Sequence, residues 1–169
     1  MAQWQRANTD WFHAARWGTF VHYLADAPSW LRPMKLSVDS WNRRVDSFDV
    51  EHYAGALAEL GCRYTFLTIG QNSGYYCSPN DTYDRIVGRR VSRLSRRDLI
   101  GELADACTRR GIRLLAYCTA TAPFNDREAV VALRCTPPWS TDLIGFPPGW
   151  PPVTEAPYTD SRMSEFQRN

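Results

Sequence analysis

Apolar residues recur at helical spacing in two stretches of the chain. Over residues 50–60 the apolar positions are Val50, Tyr53, Ala54, Leu57, Ala58 and Leu60, one face of a 3.6-residue period. Asp49 stands where an N-cap belongs, and Phe48 and Tyr53 occupy the two positions of a hydrophobic staple. Gly61 is placed to supply a left-handed C-cap. A second helix is predicted over about residues 96–110. It opens with Ser95-Arg96-Arg97-Asp98, a capping-box-like pattern with Asp98 in place of Glu. Leu99, Ile100, Leu103, Ala104 and Cys107 form its buried stripe. Arg109 and Arg110 suit the carboxy-terminal end of the helix dipole, and Gly111 ends it. A short helix is also expected near Thr9–Ala15.

Each of the two longer helices is followed almost at once by an apolar run, Tyr64–Ile69 and then Ile112–Cys118. Both runs are apolar on both faces, as strands of a helix-covered parallel sheet are. Thr19–Tyr23, leaving a glycine turn at Gly18, reads as the first strand. The order is then β-α-β-α-β, an α/β chain of about three βα units with parallel strands. Such units admit two architectures, a small doubly wound sheet or the opening part of a (β/α)8 barrel. The barrel typically needs about 250 residues. Neither a GxGxxG turn nor a P-loop is present, and the long βα loops fit the active-site face of a barrel.

Beyond Cys118 the pattern dissolves. Pro137, Pro138, Pro147, Pro148, Pro151, Pro152 and Pro157 mark residues 136–158 as a Pro-rich loop with extended segments. Residues 161–169 read as the beginning of a helix.

Composition narrows the classes. The 169 residues suffice for one domain with a sizeable core, and 44% of them are apolar. A net charge of +2 points to no particular partner. No apolar run is long enough to span a membrane, and Met1–Arg6 lacks the apolar core of a signal peptide. The expectation is a cytoplasmic chain with no membrane partner. Cys62, Cys77, Cys107, Cys118 and Cys135 are odd in number and widely spaced, so they are expected to be reduced packing thiols rather than metal ligands or disulfides. The basic run Arg85, Arg89, Arg90, Arg93, Arg96 and Arg97 has no interleaved aromatics between Ile86 and Leu94. It is read as a solvated loop or a phosphate contact, not as a nucleic-acid surface.

Candidate chemistry lies where the strands end, because α/β enzymes hold their substrates at the carboxy ends of parallel strands. The first strand exits through His22, Tyr23 and Asp26. The second exits through Gly70-Gln71-Asn72-Ser73-Gly74-Tyr75-Tyr76, and the third through Cys118-Thr119-Ala120-Thr121. Amides, a histidine, hydroxyls and aromatic planes are what sugar hydroxyls and ring faces require. Each residue also has a plainer use: His22 as a structural histidine, Gln71–Gly74 as a turn, Tyr75 and Tyr76 as core. The loop carboxylates Asp26, Asp81, Asp84, Asp126 and Glu155 show no spacing that marks a nucleophile. No Ser/His/Asp set and no HExxH motif is present.

Three segments resemble the α-L-fucosidases of glycoside hydrolase family 29. They are Trp11-Phe-His-Ala-Ala-Arg-Trp-Gly-Thr-Phe-Val-His22, then Phe48-Asp-Val-Glu-His-Tyr-Ala54 with Gly61-Cys-Arg-Tyr-Thr-Phe-Leu-Thr68, then Arg96-Arg-Asp-Leu-Ile-Gly-Glu-Leu-Ala-Asp-Ala-Cys107. The resemblance covers residues 11–118, in order. It implies that residues 1–169 are a single N-terminal portion of a glycosidase-like (β/α)8 TIM-type barrel. It also implies retaining hydrolysis, no cofactor and no metal, a fucoside or related glycoside as partner, and His22, Tyr23, Gln71, Asn72 and Tyr75 as substrate-binding residues. The family's His-Trp-Gly after strand one is here His22-Tyr23-Leu24. Its Lys-His-His-Asp-Gly-Phe after strand two is here Gly70-Gln71-Asn72-Ser73-Gly74-Tyr75, and a family tryptophan is here Ser78. Its nucleophilic aspartate ends a fourth strand, so the resemblance puts no catalytic carboxylate on this chain. The missing barrel half, or self-association through open sheet edges, is then a further expected partner. Two other readings stay open: a non-catalytic carbohydrate-binding or interaction module, and an inactive truncated gene product.

Overall fold

A computed structural model describes residues 8–25, 36–71, 73–119, 122–123 and 126–133. Its elements run α1 (Asp10–Ala15), β1 (Thr19–Val21), α2 (Val38–Asp46), α3 (Val50–Glu59), β2 (Tyr64–Gly70), α4 (Asp81–Val87), α5 (Leu99–Thr108), β3 (Arg113–Cys118) and α6 (Arg127–Ala132). The three strands form one open parallel sheet in the order β1-β2-β3. Thr19 pairs with Thr65, and Phe66 with both Phe20 and Leu115. The α/β character and the three parallel strands read from the sequence are therefore present. The Pro-rich segment 136–158 and the helix start at 161–169 lie outside the described residues.

The cap of α3 is built as its sequence predicts. Asp49 accepts the backbone N–H of His52 at 2.9 Å, the Phe48 and Tyr53 rings lie 5.4 Å apart, and Gly61 takes φ 72°. Only the far end of the stripe differs, since Ala58 and Leu60 are exposed. In α5 the buried positions are Leu99, Leu103, Ala106 and Cys107, so Ala106 takes the place expected for Ala104.

The start of α5 corrects the capping-box expectation. Asp98, not Ser95, is the N-cap, and its carboxylate accepts from Gly101 N at 2.9 Å. Ser95 is buried and otherwise engaged. Its N–H goes to Tyr76 O at 2.8 Å and its hydroxyl to Arg97 O at 2.7 Å. Its hydroxyl donates to a carbonyl two residues on instead of accepting a first-turn N–H, which is what an N-cap side chain does. The first strand is also shorter than expected and ends at Val21. Beyond it, the Thr68 hydroxyl accepts Tyr23 N–H at 2.7 Å and donates to Tyr23 O at 3.1 Å, in place of ladder bonds.

The sheet has two unlike faces. Val21, Leu67 and Leu114 point toward α3 and α5 and pack with Ala54, Leu57, Leu103, Ala106, Cys107 and Ile112. Beside this core, α2 brings Trp41 and Val45 against Ala25, Tyr75, Cys77 and Leu99. A further cluster joins Tyr76, Tyr83, Ile86 and Leu94 to Ala129 and Leu133 around α4 and α6. The opposite face carries Phe20, Phe66 and Tyr117. Phe20 stacks on Phe66 at 5.2 Å and meets Tyr117 edge-on at 4.9 Å. Because β2 lies between β1 and β3, that contact requires the side chains to converge over the middle strand. Phe20 is nevertheless 47% exposed. At the amino end of this face, Phe12 of α1 approaches Tyr64 at 4.7 Å.

The arginine run is only in part the solvated loop that its sequence suggested. The Arg97 guanidinium donates to the carbonyls of Val45, Asp46 and Phe48 at 2.8, 3.0 and 2.9 Å, and it pairs with Glu102 at 2.6 Å. It thereby ties the end of α2 to α5. Arg89 and Arg93 both face Asp126. These cations satisfy carbonyls and carboxylates inside the fold, whereas Arg90 and Arg96 are exposed. Cys62, Cys77 and Cys107 are buried free thiols, and Cys118 is a half-buried one; Cys135 lies outside the described residues. Among the described residues no cluster of three possible metal ligands occurs, and no helix is long and apolar enough to cross a membrane.

Candidate functional site

Parallel strands deliver their exits to one edge of the sheet, and there the structure joins β1 to β2 through two side chains. His22 Nδ1 lies 2.8 Å from Gln71 Oε1, across 49 residues of sequence. The two-residue period of a strand explains His22's direction. Phe20 faces the open side, so His22 does too, and their rings lie 4.8 Å apart. Tyr117 stands edge-on to the imidazole at 6.3 Å. His22 is exposed and Gln71 half-buried. The result is a small polar pair on an aromatic floor, open to solvent.

The same alternation sends Tyr23 the other way. Its ring packs between Trp41 at 5.6 Å and Phe48 at 5.3 Å, and its hydroxyl donates to Arg44 O at 3.1 Å. Burial pushes the phenol up to about 12. Tyr75 is buried as well, with its hydroxyl on Leu36 O at 2.6 Å and the Arg93 guanidinium 5.3 Å over its ring. Of the five residues singled out from the sequence, His22 and Gln71 are brought together. Tyr23 and Tyr75 turn into the layer beneath the sheet's helix-covered side, and Asn72 lies outside the described residues. Ser78, where the resemblance expects a tryptophan, donates to Asp98 Oδ1 at 2.7 Å and so braces the N-cap of α5.

The turn that follows Gln71 rests on a second group of residues that the sequence did not single out for this role. After β2 the chain turns at Gly74, with φ 72° and its N–H on Ala122 O at 3.2 Å. A Cβ on Gly74 would collide with the Asp126 side chain. Asp126 caps α6, accepting Ala129 N–H at 3.4 Å, and pairs with Arg89. Arg93 Nη1 faces the other carboxylate oxygen at 3.3 Å without hydrogen-bonding geometry. Burial works against the charge on Arg89, but Asp126 and Glu128 outweigh it and hold the guanidinium protonated. The same pairing holds the exposed Glu128 carboxyl below its ordinary range. The loop that presents Gln71 thus rests on a carboxylate that is 2% exposed.

The other carboxylates near this edge are committed to local structure. Asp84 accepts the Ser92 hydroxyl at 2.7 Å, and Asp81 begins α4 in solvent. Asp26 and Glu155 lie outside the described residues. Thr119 follows β3, and its hydroxyl oxygen is shielded from solvent with no hydrogen-bond partner among the described residues.

No family model matches the chain, and no curated protein matches it in sequence. Solved structures do. A family 29 α-L-fucosidase from Bacteroides thetaiotaomicron superposes with a TM-score of 0.51 at 19% identity, over 79% of this chain and 36% of that one. A bacterial fucosidase bound to a monovalent iminocyclitol inhibitor gives 0.51 at 18% identity, over 79% and 37%. A family 29 enzyme trapped as a covalent intermediate with 2-fluoro-fucosyl fluoride gives the same score and identity over the same shares. The sequence resemblance over residues 11–118 thus has a structural counterpart: over most of its described length the chain has the fold of a segment of the family 29 α-L-fucosidases, and it spans little more than a third of theirs.

Proposed function

We propose that this chain is the fucosidase-like part of a retaining glycoside hydrolase that forms one wall of its sugar pocket. The observation that carries the reading is the His22–Gln71 pair at the joint carboxy edge of β1 and β2, above the rings of Phe20 and Tyr117. A neutral imidazole and an amide both donate and accept, which suits hydroxyls, and an aromatic plane suits the apolar face of a sugar ring. The likeness to fucosidases, one of them holding an iminocyclitol and another a fluorinated fucosyl group, supports a fucoside-like ligand.

The sheet in this reading is the opening arc of a (β/α)8 barrel. Its sequential strand order fits, and so do side chains converging on a face opposite α3 and α5. The Phe20 face would line the barrel interior, covered by the remaining strands. Retaining hydrolysis needs two carboxyl groups about 5–5.5 Å apart. Asp126, already held by Arg89 and Arg93, is poorly suited to be one of them.

Two measurements test this. Titration of the chain with L-fucose should show binding that His22→Ala weakens about tenfold, the loss expected for a hydrogen-bonding side chain at a ligand. Binding unchanged in that variant removes His22 from the pocket. Incubation with an aryl α-L-fucoside should release no phenol, because the catalytic pair is assigned to residues outside this chain. Turnover by the pure 169-residue chain would overturn that assignment.

A further inference from the structure

We propose that Thr68 is a positioning residue for His22, acting through the two peptide groups that flank Tyr23. β1 ends at Val21, and its ladder with β2 ends there too, at Val21 and Leu67. Thr68, the next residue of β2, supplies what the ladder does not. Its hydroxyl oxygen accepts the Tyr23 N–H at 2.7 Å, and its proton goes to the Tyr23 carbonyl at 3.1 Å. Neither role is open to exchange, because a backbone N–H only donates and a carbonyl only accepts. The Tyr23 N–H belongs to the planar unit that carries the His22 carbonyl, so the first bond sets the backbone turn at His22 itself. The second sets the unit that follows Tyr23. His22 is thus held between a residue in the ladder and a residue bracketed by Thr68. That course lays its ring 4.8 Å from Phe20, on the open face.

Thr68 is fully buried, so water does not compete for its hydroxyl. Its main chain serves the other strand exits. Thr68 pairs with Tyr117 of β3, and just beyond it the ladder slips, since Gly70 is the residue that pairs with Cys118. The Thr68 carbonyl accepts the Cys77 thiol at 3.6 Å, and the Ile69 carbonyl accepts the Cys77 N–H at 2.9 Å. There the loop that begins at Gln71 closes back on its own strand. The exit of β1, the return from β2 and the end of β3 meet at one residue, and only the first is held by the side chain. Removing the hydroxyl should therefore release the His22 side of the edge and leave the others tied. That His22 meets a sugar rests on the glycoside reading above; the hold on its backbone does not.

The test compares Thr68→Val, which keeps the branched shape and loses the hydroxyl, with Thr68→Ser, which keeps the hydroxyl. Both are made in the full chain and followed by NMR with no sugar present. In Thr68→Val the carbon-bound ring protons of His22, shifted by the Phe20 and Tyr117 rings, should move toward the positions of free histidine. The α5 amide shifts should not move, and Thr68→Ser should restore the His22 signals. L-Fucose binding should weaken about fivefold in Thr68→Val, the share of one ordinary net hydrogen bond and short of the loss expected for His22→Ala. Thr68→Ser should recover it. His22 signals that stay in place in Thr68→Val would overturn the proposal, and so would signals that move as far in Thr68→Ser. If Thr68→Val does not fold, the wild type decides. Its Thr68 hydroxyl proton should be protected from exchange, and one exchanging at the rate of a free hydroxyl would overturn the proposal. No response to fucose in the wild type, with the His22 shifts as expected, supports the role of Thr68 and counts against the glycoside reading.

Discussion

One sheet, two faces: the side against α3 and α5 is closed and aliphatic, and the side bearing Phe20, Phe66 and Tyr117 is open and aromatic. Leu67 on the first is fully buried, whereas Phe20, on the neighbouring strand, is 47% exposed. The strands need both faces shielded to be stable, because a parallel sheet has no polar side. The closed face is supplied by helices adjacent in sequence. The open face draws its side chains together over β2 but receives, among the described residues, only α1 at its amino end. Stability is therefore concentrated on one side and the candidate site lies on the other. The polar pair His22–Gln71 sits where the open face meets the carboxy edge.

The sharpest way to break this comparison is at Leu67. Truncating it to Ala leaves a void among Leu57, Leu103, Ala106 and Cys107. It should cost about 2–5 kcal/mol, as large-to-small changes in packed cores do. Urea unfolding of the two proteins measures this. A loss well under the lower bound would mean that the helix layer repacks freely and the closed face is not the rigid one.

Next in size is Asp126→Ala, which removes the carboxylate under the β2 exit. Breaking a fully buried ion pair costs about 3–5 kcal/mol. Here Arg93 is 31% exposed and Arg89 14%, so solvent offsets part of that and about 2–3 kcal/mol is expected. Because Gly74 packs on Asp126, the variant should also loosen the loop carrying Gln71. Amide exchange across residues 71–78 should quicken more than exchange in α5. If exchange rises equally in both, Asp126 supports the whole fold and not this edge in particular.

These two predictions draw on parts of the molecule that were unequally legible in the sequence. α3 and α5 could be read because each combines a stripe, a capping acid and a terminal glycine. α2 could have been read as well. Val38, Trp41 and Val45 keep helical spacing, and Ser37 caps by accepting from Ser40 N. α4 and α6, at seven and six residues, show too few turns for a period to declare itself. The strand exits were legible as places, since apolar runs end where polar residues begin. Partners were not, because Gln71 meets His22 only through strand pairing, and Asp126 reaches Gly74 only through the packing of α6. The opposite directions of His22 and Tyr23 follow from the strand period, yet their adjacency in sequence groups them as one site.

A smaller effect separates the faces by pH. Burial pushes the Cys77 thiol up to about 12 from an ordinary 9.0. A group whose folded pKa lies above its unfolded one contributes stability that is complete below the unfolded value and is lost as pH rises through the folded one. The window is therefore pH 9 to about 12, and each pH unit within it removes at most about 1.4 kcal/mol. Tyr23, raised to about 12, titrates in the same range. Wild-type urea midpoints should fall between pH 8 and 10.5, and Cys77→Ala should flatten that fall without abolishing it. An equal fall in the variant would assign the alkaline loss to the other groups that burial raises, Cys62, Cys107 and Tyr23 among them.

The smallest expected change sharpens the contrast most. Phe20→Ala removes a large ring, but nearly half of it already faces water. What remains is its stack on Phe66 and its edge contact with Tyr117, at 5.2 and 4.9 Å. Aromatic pairs of this kind contribute about 0.5–1.5 kcal/mol beyond the area they bury. The loss should therefore stay near 1 kcal/mol at low protein concentration, well below that of Leu67→Ala. The informative variable is concentration. If copies of the chain cover one another's open faces, the cost of Phe20→Ala should grow as the wild type is concentrated, and sedimentation should show the wild type heavier than the variant. A cost matching that of Leu67→Ala at every concentration would mean that the Phe20 side is as closed as the helix side, and the division of the sheet into a closed, stabilising face and an open one would fail.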